Sequence, residues 1–258
     1  MYDKDGNAIQ TGYAADGVTA YPVFDASGNS LIASINATVI QLGSLKYGQA
    51  FCKYNGKYYS TDGSNIAEQD ASFNTLRDVA INVGHGNALQ LGNNGVAYAS
   101  GWDDNTVYVV DLTRLEVVNI IALPVEGYTT CAVDDIKHIV YIWQRASRPN
   151  TEAIYNFISY DYANATVLFT GVTSIAFGAM QSVDFVGDLM LVLNGAGTAE
   201  LSNGYRYYNK KGEIVGEIVI ATKATEEPEG VFVSRETGEI LMSFANKKIY
   251  KINLGGVT

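Results

Sequence analysis

Gln49-Ala50-Phe51-Cys52-Lys53-Tyr54-Asn55-Gly56-Lys57-Tyr58-Tyr59-Ser60 reads as a polar opening residue, a short apolar strand, a tight turn and a second strand. Asn and Gly tolerate the positive φ that a two-residue hairpin turn demands, so Asn55-Gly56 fixes the turn. The same grammar recurs four times. Residues 87–100 turn at Asn94-Gly95, 130–143 near Asp134-Asp135, 181–193 at Gly187-Asp188, and 229–244 at Glu236-Thr237-Gly238. Further strands follow the hairpins, at 106–112 with 115–121, 156–161 with 166–169, and 205–208 with 214–220. Openings spaced roughly 40–50 residues apart, with up to four strands each, are the signature of propeller blades. The fifth group ends at 248–252 with three strands, and an outermost strand from near 35–44 would complete it and close the ring. The reading is therefore all-β: a five-bladed β-propeller over 45–258, preceded at 1–44 by a short N-terminal segment of β-turn repeats and a linker strand. A β-sandwich is the alternative, but it gives no reason for five similar hairpins.

Composition agrees with a β-rich, loop-rich chain. Of 258 residues, 47% are hydrophobic, which excludes disorder as the main state, and only 17% are charged. The net charge of −10 repels a phosphate backbone or an anionic membrane surface, so neither nucleic acid nor membrane is expected as a partner. No apolar run approaches the ~20 residues of a membrane helix. Residues 1–7 carry neither a basic flank nor an apolar stretch, so no signal peptide is expected, and the start reads as mid-pattern. Cys52 and Cys131 lie in runs that read as buried strands, and are expected as free buried thiols.

Ahead of the blades, Tyr2, Tyr13 and Phe24 recur at a spacing of eleven, as do Gly6, Gly17 and Gly28. Each unit reads as a short strand plus a turn that needs a neighbour to bury it. Asp3-Lys4-Asp5-Gly6-Asn7 has the opening of a calcium loop but lacks its remaining ligands, so a plain turn is expected and no metal.

In a propeller the first strand of each blade lines the central channel, which gathers the opening residues Gln49, Asn87, Thr130, Gln181 and Glu229 at one mouth. Amide and hydroxyl groups both donate and accept, as sugar hydroxyls do. The same residues could instead satisfy backbone ends where the strands converge. Gly84-His85-Gly86-Asn87, followed one hairpin later by Trp102-Asp103-Asp104-Asn105, is the other candidate. An aromatic plate beside acids and an amide can stack on a sugar face while binding its hydroxyls. The competing accounts are packing between blades for Trp102 and a capped structural role for His85; His138 reads as core or edge of an apolar strand. A carboxylate pair for glycan cleavage would come from Asp103, Asp184, Glu227 and Glu229. No P-loop, dinucleotide fingerprint, zinc-protease motif or Ser-His-Asp order occurs, and no cofactor is expected.

The aromatic-Asp-x-x-Gly-Asn units, together with Gly84-His85-Gly86-Asn87 and Trp102-Asp103-Asp104-Asn105-Thr106-Val107-Tyr108, resemble phage or prophage tail proteins of Gram-positive and gut bacteria. The blades resemble the five-bladed platform of tail receptor-binding proteins, which hold cell-wall glycopolymers such as glycosylated teichoic acid. The resemblance covers 45–253 in general grammar and is sharp at 84–112. It implies a carbohydrate-binding adhesin of the virion tail, assembled in the bacterial cytoplasm. Its partners would be bacterial cell-surface polysaccharide and other virion proteins, with a homo-trimer as the usual assembly. On this reading Trp102 stacks, and His85, Asn87, Asp103, Asp104 and Asn105 contact the sugar, with Gln49, Gln181 and Glu229 at the mouth. The alternatives are a structural propeller that contacts only proteins, and a glycan-cleaving enzyme.

Overall fold

Every strand pairing among the described residues of the computed structural model is antiparallel. The structure describes residues 10–13, 20–24, 37–101, 105–145, 153–175, 179–195, 204–219 and 227–254. β1 (Gln10–Tyr13) and β2 (Ala20–Phe24) pair as a hairpin. Apart from Tyr13 and Phe24, the expected repeat units lie outside the described residues. β3 (Ala37–Ser44) follows.

Five four-stranded sheets then account for the rest. Blade 1 holds β4 (Ala50–Tyr54), β5 (Lys57–Thr61), β6 (Asn65–Gln69) and β7 (Thr75–Ala80). Blade 2 holds β8 (Ala88–Leu91), β9 (Val96–Ser100), β10 (Thr106–Asp111) and β11 (Glu116–Ala122). Blade 3 holds β12 (Tyr128–Asp134), β13 (Ile139–Arg145), β14 (Ala153–Asp161) and β15 (Thr166–Ile175). Blade 4 holds β16 (Ala179–Val186), β17 (Leu189–Gly195), β18 (Gly204–Tyr208) and β19 (Ile214–Val219). Blade 5 holds β20 (Pro228–Val233), β21 (Ile240–Phe244) and β22 (Lys248–Leu254), and its outermost strand is β3. β3 runs antiparallel to β22 from Ala37 opposite Leu254 to Ser44 opposite Lys248, so residues early in the chain complete the last blade, as the strand count predicted.

The hairpin turns obey their residues. Asn55 and Gly56 have φ of 48° and 73°, and Asn94 and Gly95 have 56° and 76°, the paired positive values of a type I′ turn. Between blades the core divides into clusters. Val107, Cys131, Val140 and Ile142 join blades 2 and 3. Tyr141, Trp143, Phe157, Val183 and Met190 join blades 3 and 4. Leu193, Tyr205, Val231 and Met242 join blades 4 and 5. Phe51, Leu89, Phe232 and Leu241 join blade 1 to its neighbours. Both cysteines are buried free thiols, in different clusters.

Side chains on the inner strands tie blade 2 to 3, 3 to 4 and 4 to 5. The Gln90 side chain is bonded twice to one residue of blade 3: Nε2 donates to Val133 O at 2.9 Å and Oε1 accepts from Val133 N at 2.7 Å. Thr130 donates to Met180 O at 3.1 Å. Ser182 Oγ accepts from Val231 N at 3.2 Å, and Asp184 Oδ2 from Val233 N at 2.8 Å.

Gln90→Leu keeps the bulk and strands both Val133 backbone groups in a buried site. The expected loss is about 2–5 kcal/mol of folding stability, read from urea or guanidinium unfolding. A variant as stable as the parent would show that water or relaxation satisfies Val133.

Candidate site at the mouth of the channel

Each inner strand begins at the same end of the ring, where Gln49, Asn87, Gln181 and Glu229 converge from blades 1, 2, 4 and 5. Two of these amides hold carboxyl groups. Gln49 Nε2 donates to Glu229 Oε2 at 3.1 Å, and Gln181 Nε2 donates to Glu227 Oε1 at 2.6 Å. Gln49 Nε2 also lies 3.3 Å from His85 Nε2 and 3.5 Å from Asn87 Oδ1. An amide nitrogen has two hydrogens, so Gln49 Nε2 cannot serve all three neighbours at once. Meanwhile Asn87, only 1% exposed, has an amide nitrogen with no hydrogen-bond partner. A buried N–H of this kind costs about 1–3 kcal/mol until a water or a ligand accepts it.

The Gly84-His85-Gly86 run has a backbone cause. Gly84 and Gly86 have φ of 66° and 71°, and Gly86 packs on the backbone of Gly63, where a Cβ would come within 3.2 Å. A Cβ on Gly63 would in turn collide with the Gly84 carbonyl. This close approach of two loops carries His85, which is exposed, to the Gln49 side chain.

Burial, reinforced by the negative charge of Glu227, pushes the Glu229 carboxyl up to about 8. At neutral pH Glu229 is mostly a protonated, neutral acid. Asp184 is also raised, to about 7, and burial is the cause. Its surroundings differ, because Val233 N and Phe185 N donate to its two oxygens at 2.8 Å each. Asp184 is an internal tie.

The remaining sequence candidates divide. Thr130, expected to face the mouth, spends its hydroxyl on Met180 O between blades 3 and 4. Asn105 lies just before β10, and its side-chain oxygen is buried without a partner. Trp102, Asp103 and Asp104 lie outside the described residues. His138 is a correction. The apolar strand was read as starting with it, but β13 starts one residue later, and His138 sits exposed in the turn with φ 57°. There Nδ1 lies 3.2 Å from Tyr162 Oη. Among the described residues no group of three or more His, Cys, Asp and Glu is placed to hold a metal ion, and no helix is long and apolar enough to cross a membrane.

The opposite end, where the β4–β5, β8–β9 and β20–β21 turns meet, holds a cleft of about 1130 Å³ beside Lys53, Phe232, Glu239 and Lys251. There Glu239 pairs with Lys53 at 3.3 Å and Lys251 at 3.2 Å, and Arg235 lies 3.8 Å from Asp135.

No protein-family model matches the sequence, and no curated protein does. Among solved structures, the crystal structure of Myxococcus xanthus glutaminyl cyclase is similar, with TM-score 0.60 and 9% identity over 86% of this chain and 98% of that one. Hydrazine synthase of Kuenenia stuttgartiensis aligns with TM-score 0.47 and 14% identity over 78% of this chain, which spans 56% of that one. The first likeness is one of fold, and it supports the five-bladed propeller. Neither name concerns a phage tail or a carbohydrate.

A carboxyl whose folded-state pKa is raised stabilises the fold fully below its unfolded value and loses that contribution as pH rises through the folded value. For Asp184 the window runs from about 4 to about 7. Stability should therefore fall between pH 5 and pH 8. In Asp184→Asn that fall should shrink by on the order of 2 kcal/mol, measured by denaturant unfolding at the two pH values. An unchanged slope would mean that Asp184 stays ionised when buried.

Proposed function

We propose that the mouth of the propeller binds a polyhydroxylated ligand, a glycan of the bacterial cell surface, and that the chain is the adhesin module of a phage or prophage tail. The observation that carries the binding reading is the unspent amide nitrogen of Asn87, buried beside Gln49 and Glu229. Uncharged amides and a protonated carboxyl both donate and accept, which matches hydroxyl groups without the cost of desolvating a charge. Trp102 is the expected stacking plate, with Asp103, Asp104 and Asn105 beside it. Each site binds weakly, and several copies on one tail supply avidity. The tail assignment and a trimeric assembly rest on the sequence resemblance. The outer strand β15, which exposes Val167, Leu168, Phe169 and Val172, is a surface suited to contact with other virion proteins.

A second reading is glycan cleavage, favoured by a carboxyl raised to about 8 next to another carboxyl. Two acids with different environments are the usual equipment for acid–base hydrolysis. Shortened products formed by the parent and absent with both Glu227→Gln and Glu229→Gln would establish it.

The binding reading is tested by titrating purified host-wall glycans against the parent and Gln49→Ala. The variant removes the amide shared by Glu229 and Asn87, and affinity should drop about tenfold with the melting temperature held within a few degrees. Trp102→Ala should lose binding on a glycan array. A parent that binds no wall glycan would overturn the reading.

A further inference from the structure

We propose that the glycan taken at the mouth is an amino sugar, its primary ammonium seated between Glu227 and Glu229 while Asn87 donates to a neighbouring sugar oxygen; this rests on the carbohydrate reading above. The two glutamates stand two positions apart where the chain enters β20. The Gln49 amide of blade 1 engages one oxygen of Glu229 and the Gln181 amide of blade 4 one oxygen of Glu227, which orients the pair without supplying a countercharge. No ion pair joins either glutamate to Lys or Arg among the described residues, whereas Glu68, Asp111 and Glu239 each pair with a basic side chain. The groups facing Glu229 are Glu227, the amides of Gln49 and Asn87, and His85 beyond Gln49.

Such a pair lacks a cation. Burial withdraws water from Glu229 and Glu227 repels its charge, and a bound cation relieves both. An ammonium brings three N–H donors and a positive charge to the two carboxyls, whereas Asn87 Nδ2 needs an acceptor that a bare cation cannot offer. An amine on a hydroxylated ring provides both. The net charge of −10 also draws a cationic ligand toward the chain.

Binding ionises Glu229. The proton leaves its carboxyl for solvent, and the carboxylate pairs with the ammonium. Below about pH 8, where free Glu229 is protonated, affinity should climb with pH and then level off. The sugar oxygens make the probe's amine less basic than a lysine side chain, but it stays mostly protonated from pH 6 to pH 8, so the probe itself does not titrate between the points compared.

The experiment compares methyl 6-amino-6-deoxyglucoside with methyl glucoside by NMR titration of the full chain at pH 6, 7 and 8. The amine should bind at least tenfold tighter at pH 8 than at pH 6, while the neutral glucoside shows no slope. Glu229→Gln should abolish both the slope and the preference for the amine over the neutral sugar. Glu227→Gln, which removes the neighbouring charge, should move the midpoint of the slope to lower pH and serves if the first variant folds poorly. Equal, pH-independent binding of the two sugars would overturn the amine site and leave the carbohydrate reading standing. Binding of neither, with wall glycans also unbound, would overturn both.

Discussion

The inner edge of each blade sets the constraint on which the ring depends. A strand facing the channel has no further strand beside it, yet its outward N–H and C=O groups are buried. Neighbouring blades meet that demand with side chains. Gln90 serves Val133, Thr130 serves Met180, and Ser182 and Asp184 serve the alternate residues Val231 and Val233. The alternation is that of a strand edge, whose outward groups recur every second residue. The polar residues of the inner strands are therefore required before any ligand is considered. Hydrophobic clusters hold the blades together, and these bonds fix their rotation about the axis.

Closure imposes the second demand. A ring with an open seam would expose the unpaired edge of β22 and the apolar faces beside it. β3 covers that edge, and it comes from the other end of the chain, so a strand early in the sequence and one near its end share a single sheet. Next to this seam Lys46 N donates to Gln69 Oε1 at 2.7 Å, which links the residues just after β3 to blade 1. The seam between blades 5 and 1 is packed closely enough that a Cβ on Gly230 would meet Phe51 Cδ1 at 2.8 Å and Ser243 Oγ at 2.6 Å. Such contacts leave no room for slippage between first and last blades.

Much of this was legible in the residues. Asn55-Gly56 and Asn94-Gly95 named their turns, the apolar runs named the strands, and a three-stranded last group asked for a fourth. The site was less legible, for a physical reason. Thr130 and Asp184 look the same in sequence as Gln49 and Glu229, namely polar residues on inner strands, but which of them satisfies a backbone edge depends on register between blades. Glu229 and Gln49 are 180 positions apart, and no local pattern announces their bond. Glu227 was visible only as a candidate acid for catalysis. His138 misled because an apolar run tells where a strand lies better than it tells where the strand starts, and the residue with positive φ belongs to the turn.

Asp184 and Glu229 show how one side-chain chemistry serves two ends. Both are buried carboxyls with raised affinity for a proton. Asp184 receives two backbone N–H groups, one on each oxygen, and the bond from Val233 N ties blade 4 to blade 5. Glu229 receives one side-chain amide, which is itself shared with His85 and Asn87 and can turn aside at the cost of a rotamer change. It also lies at the mouth beside a second carboxyl. Burial alone therefore does not mark a functional acid in this ring. The number and rigidity of the donors it already has decide the matter, and by that measure the mouth, with its borrowed amide and its idle Asn87 N–H, is the place where the ring still has hydrogen-bonding capacity to offer a partner.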